Sequence, residues 1–192
     1  MTMPSTCLAR LAPAARRAAL LAGVLLAPPA LAQLTLSDDT GRTLSLPAPA
    51  QRIVSLAPHV TELLFAAGAG AKLVGVVAYS DYPEAAKSLP QVGGYTQIDL
   101  EAIAALRPDL VIAWQSGNRD AHLGRLEALG IPVYVNEPRS LDDVAHSLLQ
   151  FGRLADTEAA AETAAGAFRA RHAELAARYS AQPPVRTFYQ IW

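Results

Sequence analysis

The sequence LVGVVAYSDYP at residues 73–83 has the pattern of a short buried strand that runs into turn residues, and LVIAWQSGN at residues 110–118 repeats that pattern. In both cases a helical periodicity follows the turn. Three aromatic residues, Tyr79, Tyr95 and Trp114, lie at or just beyond the predicted strand ends. Because open α/β sheets bind ligands at the carboxyl ends of their strands, these aromatics predict a ligand platform.

The same alternation of strands and helices extends over residues 33–155. Apolar runs predict the strands, and capping residues, glycine and proline predict the helix ends. We predict a hairpin over residues 34–46, strands over 52–56, 73–77, 110–113 and 132–135, and helices over 58–67, 98–106, 119–129 and 140–154. Strands that alternate with helices at these spacings predict an α/β fold, a Rossmann-like lobe whose parallel sheet is built from right-handed crossovers.

The segment after this lobe has a different composition. Residues 157–180 contain no proline and a single glycine, and they predict one helix of about 24 residues, roughly 36 Å long, within a linker over residues 156–182. Residues 186–192 then have the pattern of a new strand. A strand without a partner cannot bury its faces, so we expect residues 183–192 to be the start of a truncated second lobe.

The first 32 residues have the layout of a secretory signal peptide. Arginines precede an apolar run over residues 18–26, and small residues at positions 30–32 predict cleavage after Ala32. The run is too short to span a bilayer and is followed by Pro28 and Pro29. We therefore expect export to the periplasm.

Removal of the signal peptide changes the cysteine content and the charge. Cys7 is the only cysteine, so residues 33–192 offer no disulfide or thiolate chemistry. They contain 13 basic and 17 acidic residues, a net charge of about −4. A net negative charge gives no basic surface for nucleic acid, so we expect no nucleic-acid partner. We also expect the protein to be a monomer.

Six short motifs then identify a family resemblance. They are RIVSLAP at 52–58, TEL at 61–63, YSDYP at 79–83, DLE at 99–101, LRPDLVIAW at 106–114 and GN at 117–118. In this order and at these spacings they resemble the substrate-binding proteins of bacterial vitamin B12, haem and ferric-siderophore importers. The resemblance implies two Rossmann-like lobes joined by one long helix, of which this sequence holds the first lobe and the linker.

The resemblance also implies a ligand. The pattern is most similar to the family members that bind cobalamin, and it implies that Tyr79, Tyr95 and Trp114 line the corrin site. Tyr95 departs from that pattern, because the cobalamin binders have tryptophan there. Haem binders instead carry the pair found here at Gly94 and Tyr95, and they use the tyrosine as an iron ligand. Cobalamin is therefore the expected ligand; haem, a ferric siderophore or a non-functional fragment are the alternatives.

His59 is a further candidate, at the predicted amino terminus of the helix that faces the same strand ends. It has the chemistry to donate to a ligand edge or to bind a metal, although a lone histidine is also common as a solvated helix-start residue. The remaining histidines lie on separate predicted helices without metal-ligand spacing; they are His122, His146 and His172. The sequence therefore predicts no metal site.

Glu101 lies near the start of a predicted helix, where the helix dipole favours a carboxylate without any further role. The family resemblance implies a second role, in which Glu101 pairs with arginines of the membrane permease of an ABC importer. Catalysis is not expected, because the turn at residues 57–60 lacks a glycine-rich phosphate loop and the chain lacks a Gly-x-Ser-x-Gly motif. We expect a transport protein without a resident cofactor, whose ligand is its cargo.

Overall fold

The structure is a computed structural model that describes residues 33–94 and 97–190. The predicted signal peptide, Tyr95 and the last two residues lie outside the described residues.

An antiparallel hairpin opens the fold, as predicted. Strand β1 (Leu34–Ser37) pairs with β2 (Thr43–Leu46). The Asp38 carboxylate fixes the turn, because it accepts hydrogen bonds from the backbone N–H groups of Thr40 and Arg42, both at 3.0 Å, and from the Thr40 hydroxyl at 2.6 Å. The hairpin packs through Leu36 and Leu46 on the main hydrophobic core.

Four parallel strands form the central sheet. They are β3 (Ile53–Ser55), β4 (Leu73–Val76), β5 (Leu110–Trp114) and β6 (Val133–Asn136). Their order is β4-β3-β5-β6, so β3 and β5 are the central strands. Strands covered on both faces are apolar throughout rather than alternating, which is the pattern that identified them in the sequence.

Helices cover both faces of the sheet. They are α1 (Pro58–Ala66), α2 (Leu100–Ala105), α3 (Asp120–Ala128), α4 (Leu141–Ala155) and α5 (Glu158–Tyr179), with short 3-10 turns at Gly70–Lys72 and Glu84–Ser88. One core cluster includes Leu64 of α1 and Phe151 of α4, and the other includes Ile103 of α2 and Leu126 of α3. This three-layer arrangement confirms the predicted α/β fold.

The predicted capping box begins α4. The Ser140 hydroxyl accepts from the Asp143 N–H at 3.2 Å, and the Asp143 carboxylate accepts from the N–H groups of Arg139 at 2.9 Å and Ser140 at 2.8 Å. These hydrogen bonds lower the pKa of Asp143, and the bond from the Arg139 N–H has the largest effect on it. The helix therefore has a fixed start, with its N-cap residue Ser140 four residues after the end of β6.

Helix α5 is a single helix of 22 residues, as the composition predicted. Its first half packs closely on α4, since a Cβ atom on Gly152 would overlap the side chain of Ala161. Its second half is more open, and Tyr179 is 54% exposed. Within the described part of the chain, no helix is both long and apolar enough to cross a membrane.

The strand predicted from residue 186 does not form over residues 186–190. Val185, Phe188 and Tyr189 are 84%, 88% and 82% exposed. A strand forms when its backbone groups pair with a neighbour, and none of the described strands pairs with this segment. The prediction was wrong because β propensity alone does not supply that partner.

Candidate functional site

The carboxyl ends of the four parallel strands form one edge of the sheet, and most of the predicted site residues lie there. Trp114 is the last residue of β5, and His59 lies in the first turn of α1, directly after β3. Tyr79 follows β4 by three residues. The structure brings His59 and Trp114 into contact. It places Tyr79 on the loop after β4, and the next residue of that loop, Ser80, contacts Thr61 of α1.

The Trp114 indole is half buried and packs against His59 and against the turn that follows β5. His59 meets it edge to face, with ring centroids 5.4 Å apart and an interplanar angle of 85°. On another side, a Cβ atom on Gly117 would overlap the indole ring. Glycine at position 117 therefore makes room for the indole at the strand end.

Asn118 holds this turn to the sheet. Its Oδ1 accepts from the Trp114 N–H at 2.7 Å, and its Nδ2 donates to the Leu56 carbonyl at 3.1 Å. The side chain thus joins the ends of β5 and β3. Asn118 does not cap the following helix, since α3 begins at Asp120 and has Arg119 as its N-cap residue.

Tyr79 is 74% exposed and has a φ of 68°, in the left-handed region that a tyrosine rarely adopts. Such a conformation costs about 1–3 kcal/mol and persists where its surroundings fix it. The next residue provides the anchor, since the buried Ser80 hydroxyl lies 3.1 Å from the Thr61 hydroxyl. Thr61 in turn donates to the Ser55 hydroxyl at 2.9 Å. An exposed aromatic ring is thereby held on a fixed backbone.

A second tyrosine of the same loop, Tyr82, is 68% exposed. Its exposed ring adds a further aromatic surface to the loop that carries Tyr79. Tyr95 lies outside the described residues, so its place in the site stays a prediction.

His59 has an unusual environment for a histidine. The ring is half buried, and its Nε2 atom is buried together with Oδ1 of Asn136. Burial lowers the pKa of His59, while hydrogen bonding to Asn136 and the charge of Glu137 partly offset that effect. Neither Nε2 of His59 nor Oδ1 of Asn136 makes a hydrogen bond of good geometry with a described residue.

Glu137 is the first residue after β6, and its side chain is 15% exposed. Its carboxylate accepts from the backbone N–H and the hydroxyl of Ser116, both at 3.0 Å. Asn136 and Glu137 are not among the residues predicted from the sequence. The signal was present, because polar residues that directly follow an apolar parallel strand lie at the ligand-binding edge.

Glu101 is exposed in the first turn of α2. The cap of this helix is Asp99, whose carboxylate accepts from the Ala102 N–H at 2.9 Å. Glu101 is therefore not needed as the cap, and its carboxylate faces solvent. Among the described residues, no group of three or more acidic, histidine or cysteine side chains could hold a metal ion.

We call the aromatic residues at the carboxyl edge of the sheet, Tyr79, Trp114 and His59, the shelf. A cleft of about 320 Å³ lies between the hairpin and α3, where Arg42 and Glu127 form an ion pair at 2.9 Å. None of the residues that line this cleft is an aromatic of the shelf. The shelf itself, with exposed rings and half-buried indole and imidazole groups, suits a broad and flat ligand surface.

Sequence comparison with known proteins identifies a family and named relatives. A model of the periplasmic binding protein family matches residues 53–191. The vitamin B12-binding protein of Vibrio campbellii is 45% identical over 143 residues, which cover 74% of this chain and 52% of that protein.

Solved structures extend the comparison. The periplasmic vitamin B12 binding protein BtuF of Vibrio cholerae superimposes with a TM-score of 0.71 at 41% identity, over 75% of this chain and 56% of that one. A periplasmic heme binding protein from Pseudomonas aeruginosa gives 0.62 at 33% identity, over 70% of this chain and 50% of that one. The chain spans about half the length of the relatives it matches.

Proposed function

The chain belongs to the periplasmic binding protein family, and from this membership and the site geometry we propose that it serves as the solute-binding component of an ABC importer for cobalamin or a related corrinoid. It captures the corrinoid at the carboxyl edge of its sheet and delivers it to a membrane permease. The corrinoid is cargo rather than a resident cofactor, and no covalent chemistry takes place.

The observation that carries this proposal is the shelf formed by Tyr79, Trp114 and His59. Tyr79 is 74% exposed on a loop that hydrogen bonds fix in place, and an exposed ring on a fixed backbone is available for stacking. A corrin ring offers a large, partly apolar face. Each Å² of apolar surface that it covers contributes roughly 25 cal/mol, so a shelf of this kind favours a macrocycle over a small polar solute.

The names of the relatives support a corrinoid over haem. The relatives named for vitamin B12 are 41–45% identical to this chain, whereas the heme binding protein from Pseudomonas aeruginosa is 33% identical. The haem alternative depends on Tyr95 as an iron ligand.

The proposal includes a location and a membrane partner. The protein acts in the periplasm after cleavage of its signal peptide behind Ala32, and it works as a monomer. Glu101 docks on arginines of the permease. Its exposure, and the presence of a separate cap at Asp99, support this role.

Calorimetric titration with cyanocobalamin and with haemin tests the proposal. We expect the chain to bind cyanocobalamin more tightly, and we expect Tyr79→Ala and Trp114→Ala to weaken that binding. Tyr179→Ala is the matched control, because Tyr179 is an exposed tyrosine near the end of α5. If haemin binds more tightly than cyanocobalamin, and Tyr95→Phe abolishes that binding, then haem rather than a corrinoid is the ligand.

A further inference from the structure

Asp39, in the turn of the hairpin, is bonded to the end of β6 through both its backbone and its side chain. Its N–H donates to the Val135 carbonyl at 3.0 Å. Its carboxylate atom Oδ2 accepts from Nδ2 of Asn136 at 2.9 Å and from the N–H of Glu137 at 2.7 Å. A single residue of the hairpin therefore fixes the last residue of β6 and the residue that follows it.

Asn136 and Glu137 in turn hold the chain that follows Trp114. The Gln115 N–H donates to the Asn136 carbonyl at 3.2 Å. The Glu137 carboxylate accepts from the N–H and from the hydroxyl of Ser116, both at 3.0 Å. Both residues directly after Trp114 are thus bonded to residues that the hairpin fixes.

These hydrogen bonds connect the hairpin to the shelf. We infer that Asp39 is a positioning residue for the ligand: it fixes Glu137, and Glu137 fixes the turn after β5 that carries Trp114. Both connections are hydrogen bonds to a carboxylate, which are stronger than those between neutral groups. The inference rests on the proposed function, because it concerns the shelf as a corrinoid site. It gives the hairpin a role in binding that needs no contact with the ligand.

The alternative is that Asp39 only attaches the hairpin to the lobe. Asp39 and Ser116 are both exposed, so a substitution of Asp39 leaves the hydrophobic core intact. The amide of an exposed residue such as Ser116 is protected from hydrogen exchange mainly by its own hydrogen bond, and it therefore reports on the contact with Glu137. The Val111 N–H, which donates to the Pro132 carbonyl at 2.9 Å, reports on the sheet as a whole.

Hydrogen exchange of the whole chain without any ligand is the first arm of the test. In Asp39→Ala we expect exchange of the Ser116 amide to accelerate by about tenfold, the value of one hydrogen bond, and that of Val111 to stay unchanged. Asp39→Asn keeps an oxygen that can accept both hydrogen bonds, so it should restore the protection of Ser116. No change at Ser116 in Asp39→Ala, or an equal change at Ser116 and Val111, would overturn the inference. So would an acceleration in Asp39→Asn as large as that in Asp39→Ala.

Arg42→Ala is the matched control on the same hairpin. It removes the ion pair between Nη1 of Arg42 and Oε1 of Glu127 at 2.9 Å, which attaches the hairpin to α3 rather than to β6. We expect Ser116 exchange and the affinity for cyanocobalamin to be unchanged in this variant. Loss of Ser116 protection in Arg42→Ala would show that any loosening of the hairpin has this effect, and would overturn the specific role of Asp39.

Binding of cyanocobalamin supplies the second arm, as a double-mutant cycle. Asp39→Ala should weaken binding by about three- to tenfold, the value of one net hydrogen bond, and Asp39→Asn should bind as the wild type does. In a Glu137→Ala background, Asp39→Ala should have little further effect, because the contact through which it acts is already lost. An equal loss in both backgrounds would show that Asp39 does not act through Glu137, and would overturn the inference.

The two arms separate this inference from the proposed function. If Asp39→Ala exposes the Ser116 amide and Asp39→Asn restores its protection, but cyanocobalamin does not bind, the positioning of the turn is supported and the corrinoid proposal fails. If cyanocobalamin binds but Asp39→Ala has no effect on its affinity, the corrinoid proposal is supported and the role of Asp39 in binding is overturned.

Discussion

A Cβ atom on Gly117 would overlap the indole ring of Trp114. The turn after β5 thus depends on glycine, because the indole occupies the space that any other side chain needs. We expect Gly117→Ala to displace the indole from its edge-to-face contact with His59 and to weaken cyanocobalamin binding by at least about tenfold, equivalent to about 1.4 kcal/mol. Calorimetry measures the binding, and the fluorescence of Trp114 in a Trp192→Phe background reports the displacement.

Gly124→Ala is the control for this substitution. Gly124 lies within α3, and a Cβ atom there would meet no atom within 4 Å. Alanine is a better helix former than glycine, so Gly124→Ala should stabilise the fold by up to about 1 kcal/mol and leave ligand binding unchanged. Equal affinity of the Gly117→Ala and Gly124→Ala variants would show that the position of the indole does not matter for binding.

The hydroxyl chain of Ser55, Thr61 and Ser80 is the second feature that can be tested. Thr61→Val keeps the side-chain shape but leaves the buried Ser80 hydroxyl without the contact at 3.1 Å. An unsatisfied buried hydroxyl costs about 1–3 kcal/mol, so the free energy of unfolding should fall by that amount in urea titrations. The Tyr79 loop should also lose its anchor, which hydrogen exchange of the Ser80 amide would detect.

A threonine on α5 provides the comparison. The Thr163 side chain is exposed and donates only to the Ala159 carbonyl one turn earlier, at 2.9 Å. Thr163→Val should therefore change the free energy of unfolding by no more than about 0.5 kcal/mol. If the two valine variants had the same stability, the buried hydroxyl chain would contribute nothing to the fold.

Much of the fold could be predicted because its signals are local. Strands such as β5 are apolar on both faces, and the capping box of Ser140 and Asp143 fixes the start of α4 within four residues. The failure over residues 186–190 has a physical cause: the sequence there favours a strand, but a strand is stable only beside another one.

The site was less predictable because its polar contacts join distant parts of the chain. The Asn118 side chain bonds the carbonyl of Leu56, 62 residues earlier, and Asn136 reaches Asp39 across 97 residues. No local pattern identifies such partners. The aromatic residues at the strand ends could be predicted because the strands themselves are evident in the sequence. The side-chain amide contacts of Asn118 and Asn136 could be found only in the folded structure.

Glu101 gives a prediction about the permease. Glu101→Arg reverses an exposed charge without removing the cap that Asp99 provides. We expect slower association with the importer permease reconstituted in nanodiscs, a weaker dependence of that rate on salt, and unchanged affinity for cyanocobalamin, because rim charges act mainly on encounter. Glu62→Arg, on the exposed side of α1, is the matched charge reversal. The same association rate for both variants would contradict a docking role for Glu101.

The half-buried imidazole of His59 leads to a prediction of how the free energy of unfolding depends on pH. Burial is the main cause of its lowered pKa in the folded state, whereas an unfolded chain has the ordinary value of about 6.5. Below pH 6.5 the unfolded state binds a proton that the folded state does not, so the free energy of unfolding falls until the pH reaches the folded pKa. In urea titrations at pH 7.5 and 5.5, the wild type should therefore lose more stability on acidification than His59→Phe does. Identical losses in the two proteins would mean that the His59 ring accepts a proton as readily in the folded state as in the unfolded one.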